Sequence, residues 1–167
     1  MVRSRNVPRE LWIIRTIVSK GIEYLLSLPV LAIFALAYWK APSWHLVLLP
    51  LAWLMIFILL MGFGMLLAPL TVLVRDVDRL IPIFMRVMFY MSPVLYSLHV
   101  ALDRATQLRY IYDINPIVGP LLLSRACFFP QELRWNYVWH SGVVDVLIFL
   151  IGLFAFTRLE RQVLKEI

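Results

Sequence analysis

Hydrophobic positions in this chain fall in long unbroken runs, not in the one-sided or alternating patterns of a soluble core. Residues 46–74 are 29 consecutive side chains without a formal charge, and residues 80–98 are again apolar apart from Arg86. An earlier run covers 21–40, with Glu23 near its start and Lys40 at its end, and a last one covers 136–157 and contains Asp145. A helix rises 1.5 Å per residue, and about 20 apolar residues cross a hydrocarbon core of ~30 Å. The pattern therefore predicts an all-α integral membrane domain with four transmembrane helices at 21–40, 46–74, 80–98 and 136–157. The 46–74 run would measure roughly 43 Å as a helix, so it tilts, bends or projects into solvent. Pro50, Pro69 and the pair Gly62 and Gly64 are its candidate bend points.

The remaining segments belong to the same single domain, 1–167. Residues 1–20 place Val7, Leu11, Ile14 and Val18 at helical spacing, with Arg9, Thr16 and Lys20 elsewhere on the wheel, which predicts a basic amphipathic segment on a membrane surface. Pro8 suits a first helical turn, and Glu10 suits the positive end of the helix dipole. Between the third and fourth spans, 99–135 is more polar. Within it, 117–129 is apolar but too short to cross, which predicts a re-entrant helix. Trp135, Tyr137 and Trp139 form an aromatic collar at the start of the last span. The charged stretch 158–167 reads as a tail.

Composition and charge sharpen this picture. The chain is 62% hydrophobic and only 16% charged, with a mean hydropathy of +0.84. Soluble domains run at about half apolar and a quarter charged. The net charge of +6 flanks the apolar runs, so it speaks for topology and anionic lipid and not for nucleic acid. With four spans, one side of the membrane receives Arg3, Arg5, Arg9, Arg15, Lys20, Arg75, Arg79, Arg158, Arg161 and Lys165, and the other receives Lys40, Arg104, Arg109, Arg125 and Arg134. The richer side, holding both termini, is expected to be cytoplasmic, and 99–135 external. Cys127 is the single cysteine, so no intramolecular disulfide forms. It reads as a small buried apolar residue.

No catalytic constellation is present. His45, His99 and His140 are far apart and lack the spacing of metal ligands. The phosphate-loop pattern is absent, and Gly62 and Gly64 inside a membrane run read as close helix packing. Four charges gather between the second and third spans at Arg75, Asp76, Asp78 and Arg79. This island is either an ordinary solvated turn or an intracellular contact, with Arg75 and Asp76 paired. Arg86 either snorkels to the headgroups or faces a wet cavity. Asp145, ten residues into the last span, either meets a polar partner inside the protein or lines a pathway. Phe84, Phe89, Tyr90 and Tyr96 are either packing residues or faces on which sugar rings could stack.

The order of several short markers resembles the permease subunits of type 2 ABC exporters, in the polysaccharide, O-antigen and teichoic-acid group. The markers are Val7-Pro8-Arg9-Glu10 ahead of the first span, Arg75-Asp76 after a long glycine-containing span, Met91-Ser92-Pro93-Val94-Leu95-Tyr96 ending the next, then Asn115-Pro116 and Arg125. The resemblance implies a homodimer around a channel, two separate ATPase subunits that bind the ATP and magnesium, and export of a lipid-linked glycan across the bacterial inner membrane. It implies no enzymatic activity and no cofactor in this chain. It makes Pro8, Arg9, Glu10, Arg75 and Asp76 coupling residues, and Phe84, Arg86, Phe89, Tyr90, Tyr96 and Asp145 channel candidates. Family subunits have six membrane helices, and the four spans here match the third to sixth. The chain is thus expected to be an N-terminally truncated permease. The alternatives are a permease for a drug or lipid, a membrane-embedded glycan-assembly protein, and an inert fragment.

Overall fold

A computed structural model describes residues 9–37, 43–74, 76–94 and 109–166. Every regular element among them is helical: α1 (Arg9–Ala37), a 3-10 turn (Trp44–Leu48), α2 (Leu49–Leu73), α3 (Val77–Met91), α4 (Arg109–Ile114), α5 (Val118–Ala126), a second 3-10 turn (Pro130–Glu132) and α6 (Trp135–Glu166).

Two segments are long and apolar enough to cross a membrane, Trp44–Thr71 and Trp135–Leu159. Only 28% and 17% of their most apolar windows are buried. A core helix of a soluble protein would be mostly covered, whereas this much bare apolar surface suits lipid.

The first 29 described residues differ from the two-part reading of 1–20 and 21–40, because α1 runs through the boundary without a break. Two contacts lie at the junction. Lys20 Nζ pairs with Glu23 Oε2 at 2.7 Å across one turn. Gly21 lies under the indole of Trp53, where a Cβ would come within 3.0 Å of the ring. The glycine therefore serves a close approach and does not end the helix.

The helix at the third predicted span also has different limits. α3 starts at Val77, directly after Asp76, and stops at Met91. Ser92 is extended, with φ −95° and ψ 144°. Pro93 explains the stop, because a proline ring disfavours helical backbone in the residue before it. The last helix runs past 157 into the charged tail as far as Glu166. Arg158 folds back over the Phe154 ring at 5.1 Å.

The centre of the molecule is the α2–α6 pair, and its tightest point is a glycine crossing. A Cβ on Gly62 would meet the Phe149 backbone N at 2.7 Å, and one on Gly152 would strike the Gly62 carbonyl. Small residues let two backbones approach this closely, as membrane helices often do. Two apolar clusters flank the crossing. Ile17, Met61, Met65 and Phe156 join α1, α2 and α6 on the side of the charged island. Ala52, Met55, Tyr112, Val118, Leu122, Leu123, Tyr137 and Val138 join α2, α4, α5 and α6 at the other end.

Candidate functional site

α5 is a nine-residue helix with six buried residues, Val118, Gly119, Pro120, Leu122, Leu123 and Ala126. A helix start in such surroundings must find acceptors for its free N–H groups. Each is accounted for. Ile117 N donates to Asn115 Oδ1 at 3.0 Å, Val118 N donates to the Asn115 carbonyl at 3.3 Å, and Gly119 N donates to Ser141 Oγ at 2.9 Å. Pro120 has no N–H to satisfy, and Leu121 N begins the helical ladder by donating to the Ile117 carbonyl at 3.2 Å. Ser141 in turn donates to the Asn115 carbonyl at 3.0 Å. Gly119 permits this contact, since a Cβ there would sit 2.7 Å from the Ser141 Cβ.

The same segment ties down the C-terminal end of α3. Asn115 Nδ2 donates to the Met91 carbonyl at 3.4 Å. The Arg125 guanidinium donates to the Val94 carbonyl and lies 3.6 Å from the Glu132 carboxylate. The loop before α2 joins here as well, through Ser43 N donating to the Cys127 carbonyl at 2.8 Å. Cys127 is fully buried, as expected of it, and burial pushes its thiol pKa up.

Several candidate residues sit at the opposite end or along the middle. Arg9 and Glu10 open α1, while Pro8, Arg75 and Tyr96 lie outside the described residues. The expected Arg75–Asp76 pairing thus also lies outside them, and the partner of Asp76 within the described residues is Arg79. The two stand 3.7 Å apart, both more than 80% exposed. Such an exposed pair contributes little to stability and leaves both side chains open for contact.

Phe84, Arg86, Phe89 and Tyr90 are all on α3 and all exposed, and no described residue of that helix is buried. Phe84 meets Phe63 of α2 edge-on, with centroids 6.0 Å apart, and Phe89 and Tyr90 meet edge-on at 5.7 Å. Asp145 is elsewhere. It is 1% exposed on α6, one turn beyond Ser141, and neither carboxylate oxygen has a hydrogen-bond partner among the described residues. It contributes to the wall of a cavity of about 460 Å³ between α2 and α6, to which no α3 residue contributes. The structure therefore does not bring Asp145 together with the α3 aromatics.

No group of three or more His, Cys, Asp or Glu suited to a metal ion occurs among the described residues. His140 pairs with Asp113 at 3.4 Å and His45 with the Ser43 hydroxyl at 3.0 Å, in separate places. What the arrangement offers is a polar brace between helices and an open charged turn.

Over 166 residues, 97% of the chain, the sequence is 23% identical to a protein named O-antigen export system permease protein RfbA in Klebsiella pneumoniae. A second Klebsiella protein of that name aligns over the same length at the same identity. The chain is similar to O-antigen export permeases. A Myxococcus xanthus permease of the same name is 27% identical over 117 residues, 70% of this chain and 45% of that protein. The chain spans about 62% of the length of the two Klebsiella permeases. No family model and no solved structure matches it.

The resemblance to these permeases thus extends over nearly the whole chain. Three of its markers meet in space. The Met91–Val94 stretch receives hydrogen bonds from both Asn115 and Arg125, 24 and 31 residues further along the chain. Sequence reasoning missed Ser141 and Gly119, which complete that brace. A signal existed: Ser141 and Asp145 are four apart in an apolar run, hence on one helix face.

Proposed function

We propose that this chain is the membrane-channel part of a permease subunit of an ABC exporter that moves a lipid-linked polysaccharide of O-antigen type across the bacterial inner membrane. The similarity to O-antigen export permeases over 97% of the chain carries this reading. The bare apolar surface of the Trp44–Thr71 and Trp135–Leu159 segments supports a membrane setting.

In the proposed arrangement α1 and α3 also cross the membrane, giving four spans, and α5 is a re-entrant helix on the outer side. The lysine and arginine distribution supports cytoplasmic termini. A separate ATPase subunit binds ATP and magnesium and docks at the cytoplasmic end, where Asp76 and Arg79 are exposed and α1 begins. Two copies form the channel. The chain itself transports and performs no chemistry on the glycan.

The reading is tested by deleting the gene and complementing it. Deletion should remove the surface glycan and leave its lipid-linked precursor inside the cell, and an ATPase subunit should co-purify with the tagged protein. Normal surface glycan in a clean deletion strain would sink the proposal.

A further inference from the structure

α3 packs with one face and exposes the other. Its half-buried residues are Val77, Ile81, Met88 and Met91, at steps of four, seven and three that keep to one side of a helix. Phe84 borders that side and meets Phe63 of α2. Arg79 and Arg86 stand two residues before Ile81 and Met88, and so about 200° round the helix from them. The two arginines are seven apart and share this opposite face. The structure therefore separates Arg86 from Phe84, which belongs to the packing against α2.

The face is cationic and set among apolar side chains. No acid occurs between Arg79 and Met91. Arg79 is joined to Asp76 by an exposed pair at 3.7 Å, a contact weak enough for another anion to replace. Arg86 has no partner among the described residues. The turn between the arginines carries Pro82 and Ile83, both exposed. In a spanning α3, a cation on such a face meets water, protein or a polar ligand and not hydrocarbon. Its side chain tilts toward the helix N-terminus, so Arg86 reaches back toward the island at headgroup level.

Two properties of the face select its occupant. Arginine forks match phosphate oxygens in pairs. Two forks about 10.5 Å apart along the axis suit a group with two linked phosphates, where a bilayer phospholipid offers one. The apolar turn between them suits a hydrocarbon tail, which a soluble anion lacks. We infer that the face of α3 opposite α2 binds the diphosphate of a lipid-linked glycan, with Arg79 and Arg86 as the two phosphate ligands. The inference rests on the permease reading proposed above and names the residues that hold its substrate by the linkage.

The test measures retention of a radiolabelled polyprenyl diphosphate by the full chain in phosphatidylcholine nanodiscs. The diphosphate should bind at least tenfold more tightly than the parent polyprenol or phosphatidylglycerol. Arg79→Gln and Arg86→Gln should each weaken the diphosphate about tenfold, the worth of one charge-assisted contact, and leave the polyprenol unchanged. Arg86→Lys should bind between the two, and Lys20→Gln on α1, which removes a charge elsewhere, should bind as the unaltered chain does. Equal binding of phosphatidylglycerol would make the face a general headgroup anchor and overturn the inference. Unchanged diphosphate binding in both glutamine variants would overturn it as well, and so would an equal loss in Lys20→Gln. If the glutamine variants altered self-association and not lipid binding, the face would be a contact between copies and the site would fall. Should Arg86→Gln fail to insert, Arg79→Gln and Arg86→Lys decide. Failure of the site with export lost on deletion leaves the permease reading intact. Normal surface glycan in the deletion strain, with the predicted binding pattern, sinks that reading and leaves a lipid diphosphate site.

Discussion

Replacing Ser141 with alanine removes the acceptor of the Gly119 N–H and the donor to the Asn115 carbonyl in one step. The Asn115 carbonyl keeps the Val118 N–H, but the Gly119 N–H stays buried and regains no partner. A buried polar group left without a partner costs about 1–3 kcal/mol. Ser141→Ala should therefore lower the thermal stability of the purified protein clearly, whereas Ser27→Ala on exposed α1, where the hydroxyl only returns to the Tyr24 carbonyl, should not. Glycines divide in the same way. At Gly142 a Cβ would rest 3.6 Å from the flexible end of Met55, an ordinary contact. At Gly152 it would strike the Gly62 carbonyl, part of a backbone that cannot yield. Overpacking of this kind costs about 1–3 kcal/mol, while alanine at an open helical site gains about 0.5–1 kcal/mol over glycine. Gly142→Ala should be neutral or stabilising and Gly152→Ala clearly destabilising, as read from the unfolding temperature of each variant. Equal behaviour of the two would mean that the α2–α6 crossing is not where the helices touch most closely.

At the scale of elements, α5 acts as a brace whose far end is Arg125. That guanidinium joins the Val94 carbonyl at the end of α3 to the Glu132 carboxylate ahead of α6. Lysine keeps the charge but loses the planar fork that serves two acceptors at once. Arg125→Lys should leave insertion intact and loosen the end of α3, visible as faster proteolysis between α3 and α4 in detergent. Unchanged cleavage would show that Asn115 alone holds α3. The elements themselves were partly legible beforehand. The apolar run 46–74 and the helix after Trp135 stood out by length alone, because lipid-facing helices need no polar face. The stop of α3 at Met91 was legible in principle from Pro93, yet hydropathy carries the run on to Leu98. The continuity of α1 was hidden, since the pattern changes from amphipathic over 1–20 to mainly apolar over 21–40. The brace was hidden for another reason: Asn115, Arg125 and Ser141 are ordinary residues singly, and only the fold brings their partners within reach.

At the scale of the whole molecule, the proposal stands or falls on which end faces the cell interior. In the proposed four-span arrangement, ten lysines and arginines fall on the side of the termini and the island, against five on the side of 99–135. Such a bias orients membrane helices with the richer side inside. Two exposed positions report the two ends: Asp78 in the first turn of α3 and Gln131 in the turn before α6. Cys127 is buried and should label slowly, and replacing it with alanine removes any background. In intact cells with the outer membrane permeabilised, Gln131→Cys should react with a membrane-impermeant maleimide. Asp78→Cys should react only after the inner membrane is opened. The reverse pattern would place the island outside, away from any cytoplasmic ATPase, and would end the coupling role proposed for Asp76. Labelling of both from outside would mean that the chain does not cross the bilayer between Asp78 at the start of α3 and Gln131 after α5.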